Sequence, residues 1–170
     1  MGLDVYGYKN IKLVGDELFS ETLDYNYPHF VAYKTKEDES KAVDIVDRAT
    51  YTYEDYQTFR AGSYGGYSKW RNELARMLGY EAVDIEFFGR LEKSHAASVW
   101  NNPQPGPFVD LINFSDCEGV IGTEVSNKLY NDFIAYRSDA EKRGDWFYSV
   151  YEGFISALEM AKDNGCLVYS

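Results

Sequence analysis

The chain has 170 residues and a formal net charge of −11, from 28 acidic and 17 basic side chains. This balance repels phosphate backbones and anionic membrane surfaces, so we expect no direct binding to nucleic acid or to a membrane. No apolar run reaches the roughly 18–20 residues of a membrane span, and the first residues lack the features of a signal peptide. Cys117 and Cys166 form no paired motif, as expected for reduced thiols. We therefore expect one cytoplasmic domain over residues 1–170, which is long enough to bury a core without disulfides or metals.

The N-terminal half carries strand patterns. Residues 3–8 alternate with the two-residue period of a strand, and residues 11–14 and 30–33 predict two further strands. Residues 36–41 are highly charged and predict a solvated turn. Residues 43–56 fit either a strand or a helix, because β-branched and aromatic residues overlap there with a helical apolar stripe.

The middle of the chain begins with a glycine-rich stretch. Residues 62–66 predict a flexible loop, and residues 68–78 predict a helix with Ser68 as its N-cap and Gly79 after its end. Residues 84–88 fit a short strand or a helical turn. Prolines mark residues 101–107 as a loop, and the apolar residues 108–114 after it predict a buried strand.

The C-terminal third predicts a helical hairpin. Val125, Leu129, Phe133, Tyr136 and Ala140 share one helical face, and a second apolar stripe runs from residue 147 to 161. Gly144 is expected to end the first helix and Asp145 to cap the second, while residues 166–169 predict an edge strand. The prediction is an α+β fold: a mixed or antiparallel sheet from the N-terminal half and middle, packed by three main helices that include the C-terminal helical hairpin.

Residues 59–71 form the first candidate binding segment. Its glycines allow close backbone approach, a helix N-terminus favours an anion, and its basic and aromatic side chains are suited to hold and stack a ligand. It is neither a Walker loop nor a dinucleotide fingerprint. The alternative is a glycine turn whose aromatic residues belong to the core. The candidate residues here are Arg60, Ser63, Tyr64, Tyr67, Trp70 and Arg71.

The second candidate segment is an acidic turn between the apolar residues 108–114 and a long helix. Its candidate residues are Ser115, Asp116, Cys117 and Glu118, to which we add His95 from elsewhere in the chain. The alternative is that the carboxylates cap the helix that begins near Thr123. His95 could serve as base to a Cys117 nucleophile or join the carboxylates on a metal, but no catalytic or metal-binding spacing supports either arrangement.

Three blocks of sequence resemble a known family. They are the opening residues 1–4, residues 59–71 (FRAGSY followed by YSKWR) and residues 112–122 (INFSDCEGVIG). They are similar to an uncharacterised family of bacteriophage and prophage proteins. The resemblance implies a viral or prophage origin, hence a bacterial cytoplasm, and raises counter-defence roles such as DNA mimicry, inhibition of a defence protein or sequestration of a nucleotide signal. It implies no activity, cofactor or catalytic residue.

Three functions remain open from the sequence. The first is non-enzymatic binding of a small polar or nucleotide-like ligand, with the two segments forming walls of one pocket and no cofactor. The second is an acidic protein that docks on a basic host protein, by direct contact or by imitating DNA. Its acids are interspersed with bases, which counts against DNA mimicry. The third is a hydrolase or metal enzyme that uses Cys117, His95, Asp116 and Glu118.

Overall fold

The strands form three antiparallel sheets in a computed structural model that describes residues 2–16, 27–87 and 89–170. The main sheet has the order β5-β1-β9-β8, a second has the order β2-β4-β3, and β6 and β7 form a separate hairpin. The strands are β1 (Leu3–Lys9), β2 (Lys12–Asp16), β3 (His29–Ala32), β4 (Ala49–Thr52), β5 (Asp55–Gly62), β6 (Val83–Phe87), β7 (Arg90–Ser94), β8 (Gly119–Ile121) and β9 (Cys166–Tyr169).

The helices lie between these strands and confirm the predicted α+β class. They are α1 (Tyr64–Met77), α2 (Ala96–Asn101), α3 (Val109–Ile112), α4 (Thr123–Ala135), α5 (Arg137–Glu141) and α6 (Asp145–Ala161). The three long helices are α1, α4 and α6, as predicted. No helix in the described parts of the chain is long and apolar enough to cross a membrane.

Helix α6 packs directly on the main sheet. β1 buries Leu3 and Val5 on the covered face, as its alternating sequence predicts. A Cβ at Gly7 would lie 1.9 Å from the backbone oxygen of Ala157 in α6, so glycine is what allows the helix to approach the strand this closely. The core beneath α6 is aromatic, with Trp70 and Phe154 stacked at 5.2 Å between ring centroids.

A second, smaller core lies between the main sheet and the sheet β2-β4-β3. The ring of Tyr8 stacks on Phe30 at a centroid distance of 4.1 Å, and Phe30 in turn stacks on Tyr51 at 5.7 Å. The buried residues of this cluster also include Val120 and Cys166 from β8 and β9. Packing therefore accounts for several of the tyrosines that make the composition unusual.

Helix α1 begins earlier than its sequence predicts. Ser63, rather than Ser68, is the N-cap, and its hydroxyl accepts the backbone N–H of Gly66 at 3.1 Å. The predicted loop over residues 62–66 is therefore wrong from Tyr64 onwards, because the glycines are part of the first helical turn. The predicted end is confirmed, since Gly79 follows the C-cap with a φ of 78°.

Two strand predictions also need correction. Phe108, Leu111, Ile112 and Phe114 are buried as predicted, but residues 108–114 contain the short helix α3, which Phe108 precedes with a φ of 58°. A short apolar run has no periodicity that distinguishes a strand from a helical turn. β9 is a strand, but it is central rather than an edge, because it pairs with β1 on one side and β8 on the other.

The helical hairpin of α4 and α6 is confirmed, with different ends. The first helix stops at Ala135, α5 follows it, and Gly144 is the N-cap residue of α6 while Asp145 is its first residue. The predicted charged turn at 36–41 contains one 3-10 turn, and its Asp38 is buried rather than solvated. Within residues 43–56, the strand alternative is correct for 49–52 and from 55 onwards, where β4 and β5 lie, whereas residues 43–48 form neither a strand nor a helix.

The β6–β7 hairpin stands apart from the main sheet. β6 resolves the choice between strand and turn for residues 84–88 in favour of a strand, although residue 88 lies outside the described residues. Ile85 pairs with Glu92 across the hairpin, so their side chains share one face, while Leu91 lies on the other face. The hairpin and α2 face α1, and the space between them contains the cleft described below.

Candidate functional site

Two of the predicted ligand-stacking residues belong to the core. Tyr67 is fully buried, its hydroxyl lies 2.9 Å from that of Tyr169, and burial raises the pKa of Tyr67 to about 12. Trp70 is also fully buried and donates its indole Nε1–H to the carbonyl of Phe147 at 3.0 Å. For Tyr67 and Trp70, the alternative of packing in the core is therefore the correct one, and neither ring is exposed to stack on a ligand.

Arg71 joins the two candidate segments. Its guanidinium donates to the carbonyls of Ile112, at 3.4 Å, and Phe114, and forms an ion pair with Asp116 at 3.7 Å. Its side chain is only 5% exposed. The two candidate segments are therefore in contact, as predicted, but the buried guanidinium of Arg71 occupies the space between them, so they do not enclose a ligand pocket at this point.

The remaining residues of the first segment have local partners. Ser63 caps α1, and Tyr64 is half-buried against the main core. Arg60 pairs with Asp4 on the neighbouring strand at 3.0 Å. Among the described residues, neither Arg60 nor Ser63 forms a side-chain hydrogen bond or an ion pair with the acidic turn.

The acidic turn is held by Ser115. Its hydroxyl accepts the backbone N–H groups of Cys117, at 3.3 Å, and Glu118, at 3.2 Å, and the turn leads into β8 rather than into a helix. Cys117 and Glu118 are exposed. The alternative role of capping α4 belongs to a different residue, because Asp44 accepts the N–H of Thr123 at 2.9 Å.

His95 is oriented by the backbone. Its Nδ1 lies 2.6 Å from the carbonyl of Tyr80, so Nδ1 carries the proton and donates it to that oxygen. Within the described residues, no hydrogen bond joins His95 to Cys117 or to Asp116. Over the same ranges, no group of three or more His, Cys, Asp or Glu side chains is arranged to hold a metal ion. The hydrolase hypothesis gains no supporting contact.

A cleft lies between α1, the β6–β7 hairpin, α2 and the start of α6. It has a volume of about 600 Å³. One face of α1 forms one wall, and the hairpin and α2 form the facing wall. Its lining residues are Gly65, Ser68, Lys69, Asn72, Glu73, Ile85, Glu92, Lys93, Ser94, Ala96, Trp100 and Trp146.

Two tryptophans expose their rings at this cleft. Trp100 is 39% exposed and Trp146 is 55% exposed. Trp100 is fixed from behind, because its Nε1–H donates to the carbonyl of Ile112 at 2.8 Å and the guanidinium of Arg71 lies 5.7 Å from its ring centroid. Arg71 thus links the sequence-predicted segments to the cleft indirectly.

The polar groups of the cleft differ in whether they are already paired. Lys93 forms an ion pair with Asp84 at 2.8 Å, and Glu73 one with Arg76 at 3.4 Å. The side chains of Lys69 and Glu92 have no hydrogen-bond or ion-pair partner among residues 2–16, 27–87 and 89–170. Over these ranges, the cleft therefore offers one unpaired cation and one unpaired carboxylate beside two aromatic rings.

None of the eleven predicted ligand-binding residues lines this cleft, although Gly65, Ser68 and Lys69 belong to the first candidate segment. Ser115 instead lines a smaller cavity of about 380 Å³ with Lys41 and Glu37. Sequence reasoning missed Trp100 and Trp146 because they are distant in the chain and only the tertiary fold brings them together. The one local feature that could have indicated them is the position of each tryptophan next to polar residues at the end or start of a helix.

Comparison with protein-family models, with curated proteins and with solved structures gives no match to this chain. The fold and the site define its class: an α+β protein with an amphipathic cleft of small-molecule size. Its function must be inferred from the geometry of that cleft.

Proposed function

We propose that the protein binds a small polar, nucleotide-like ligand in the cleft and does not convert it chemically. The observation that carries this proposal is the pairing of two exposed tryptophan rings with an unpaired lysine in one concavity of about 600 Å³. Sites for small ligands have this size and this mixture of an apolar lining with a few convergent polar groups.

The orientation of Trp100 supports binding of a flat ligand. One face of the ring lies against the buried guanidinium of Arg71, and the indole N–H is already bonded. A ring that is held in place before the ligand arrives loses little conformational freedom on binding. A planar group of the ligand would stack on the exposed part of this ring.

The unpaired side chain of Lys69 supports a ligand with an anionic group. The whole chain carries a net charge of −11, yet Lys69 lines the cleft without an acidic partner in the described residues. The lining contains neither histidine nor cysteine, so no nucleophile activated by a histidine faces the cavity. These features favour a binding role over catalysis.

A blocking substitution on the hairpin tests the proposal. Ile85 faces the cleft, whereas Leu91 is 78% exposed on the opposite face of the same hairpin. Quenching of tryptophan fluorescence would be measured during titration with nucleotides and with non-aromatic carboxylates and phosphates. We expect quenching by a planar anionic ligand, lost in Ile85→Arg and kept in Leu91→Arg. Equal behaviour of the two variants, or no ligand that quenches the unaltered protein, would refute the cleft as a binding site.

A phage or prophage origin and residence in the bacterial cytoplasm stay predictions from the sequence. A counter-defence protein that sequesters a nucleotide signal needs affinity and no chemical step, which agrees with the proposed cleft. Expression in a bacterial host that carries a nucleotide-signalled defence system would test this role. Protection that disappears with Ile85→Arg, and not with Leu91→Arg, is the expected result.

The alternative function is docking on a basic host protein. It is favoured by the exposure of Tyr33, Val43 and Val46 within a short stretch of a strongly acidic chain. Binding to a basic protein would weaken steeply as salt is added. Capture of one defined host protein at low salt, lost at high salt and reduced by Val43→Ser, would favour this function over the cleft.

A further inference from the structure

Asn72 occupies a fixed position in the wall of the cleft. Its side-chain oxygen Oδ1 accepts three hydrogen bonds, from the backbone N–H of His95 at 2.7 Å, the hydroxyl of Ser94 at 3.2 Å and the backbone N–H of Ala96 at 3.3 Å. Two of these donors are backbone amides, which cannot accept a hydrogen bond, so the assignment of oxygen to this side of the amide is determined by chemistry. The side chain cannot flip without losing both bonds from the backbone N–H groups.

The amide nitrogen of Asn72 is consequently directed away from the start of α2. Nδ2 carries two N–H donors, and neither has an acceptor in the described part of the chain. Because Asn72 lines the cleft, its free donors are available to a ligand there. A donor pair held this rigidly is suited to read a ring nitrogen or a carbonyl oxygen, as asparagine does when it contacts base edges.

We propose that Asn72 is the specificity-determining residue of the cleft and that the ligand is a nucleoside monophosphate or a close relative. The nucleobase stacks on Trp100, an acceptor on its edge receives the amide N–H of Asn72, and the phosphate pairs with Lys69. The unpaired carboxylate of Glu92 accepts from an N–H group of the base. This inference rests on the proposed binding function and adds to it the ligand class and the residue that reads it.

The substitution Asn72→Asp separates this role from a structural one. A carboxylate accepts the same three hydrogen bonds as Oδ1, so the fold should be kept, but it carries no N–H to offer the ligand. Asn127 lies exposed on α4, and Asn127→Asp adds the same charge away from the cleft. Thermal unfolding of both variants checks that the midpoint is unchanged.

The probes are the four common nucleoside 5′-monophosphates, the matching nucleosides and ribose 5-phosphate, titrated by calorimetry. We expect at least one nucleotide to bind, its nucleoside and ribose 5-phosphate each to bind at least ten-fold more weakly, and Asn72→Asp to weaken both nucleotide and nucleoside at least ten-fold. Asn127→Asp should leave the affinity within two-fold.

Each other result overturns a distinct part of the proposal. If Asn72→Asp weakens the nucleotide but not the nucleoside, charge repulsion explains the loss and Asn72 does not read the base. If the cleft binds a ligand without a nucleobase as tightly as any nucleotide, the ligand class is wrong while the binding function stands. If no probe binds, and if Ile85→Arg abolishes no ligand-induced quenching in the fluorescence titration, the proposed function itself fails.

Discussion

Replacing Arg71 with methionine tests whether this residue stabilises the fold or is held ready for a ligand. Methionine keeps an unbranched, apolar chain beside the rings of Tyr67 and Trp100 but has no guanidinium. It removes the hydrogen bonds to the carbonyls of Ile112 and Phe114, both of which belong to buried residues. The carbonyl of Ile112 keeps the indole N–H of Trp100 at 2.8 Å, so among the described contacts only the carbonyl of Phe114 is left without a donor. A buried carbonyl in that state costs about 1–3 kcal/mol.

The ion pair to Asp116 contributes less to this cost. The nitrogen–oxygen distance is 3.7 Å and the carboxylate is 46% exposed, so the pair is worth about 1 kcal/mol or less. Removing the charge also relieves a buried guanidinium whose Nε has no partner in the described residues. For Arg71→Met we therefore expect a net loss of about 1–3 kcal/mol in the free energy of unfolding, whereas Asp116→Asn should lose about 1 kcal/mol at most.

Urea unfolding of the two variants, followed by far-UV circular dichroism, measures both losses. For a domain of this size, the loss in Arg71→Met corresponds to a fall in melting temperature of roughly 2–12 °C. If Asp116→Asn costs as much as Arg71→Met, the ion pair rather than the two carbonyl bonds holds the segments together. If neither variant is destabilised, Arg71 has no structural role and a ligand-binding role for it regains support.

Three further predictions concern stability, pH and thiol reactivity. Gly7→Ala should lower the free energy of unfolding by about 2–3 kcal/mol or more, since the new Cβ would meet the backbone of α6 at 1.9 Å. Gly65→Ala, with open space around it in α1, should raise the free energy of unfolding by about 0.5–1 kcal/mol. Urea midpoints compare the two variants, and equal effects would contradict the packing described. Tyr67 has a pKa of about 12 in the folded protein and about 10 when unfolded, so its contribution to the free energy of unfolding is intact below pH 10 and is lost towards pH 12. Urea unfolding between these pH values should show the free energy of unfolding falling by about 1.4 kcal/mol per pH unit because of this residue. Tyr67→Phe should remove that part of the pH dependence. Cys117 is exposed and Cys166 is buried, with a pKa raised by desolvation, so a thiol reagent should label one cysteine of the native protein and both after unfolding; rapid labelling of both in the native state would contradict the burial of β9.

Local patterns in the sequence predict the elements that local physics dominates. The alternation of residues 3–8 predicts β1 because one face of that strand is buried under α6. The four-residue spacing of Val125, Leu129 and Phe133 predicts α4, because one face of that helix is also buried. In each element one face is buried, so apolar residues recur in the sequence with the period of that element.

Other elements depend on contacts that no local window contains. Residues 166–169 are central in their sheet only because β1 and β8 pair with them from distant parts of the chain. Ser63 and Ser68 are equally good caps in isolation, and the choice of Ser63 follows from where β5 ends.

Of the candidate site, the sequence predicted only a segment that contains the lining residues Gly65, Ser68 and Lys69, and it named none of the lining residues as a ligand-binding candidate. The first segment was expected to combine aromatic and basic residues, and it does, but Tyr67, Trp70 and Arg71 lie inside the core. An aromatic stripe at helical spacing has the same sequence pattern whether it faces a core or a ligand. Trp100 and Trp146 face one cleft because α2 and the start of α6 meet α1 in space, and that proximity has no signature in sequence.

The indole N–H signals of the three tryptophans provide the most direct test of the cleft as a ligand site. In a ¹H–¹⁵N spectrum, assigned with Trp→Phe variants, Trp100 and Trp146 report on the cleft, and the buried Trp70 serves as an internal reference. During titration with a nucleoside monophosphate we expect the signals of Trp100 and Trp146 to shift in a saturable way while that of Trp70 stays in place. Signals of Trp100 and Trp146 that do not move up to millimolar ligand, or that move no more than Trp70, would contradict the account.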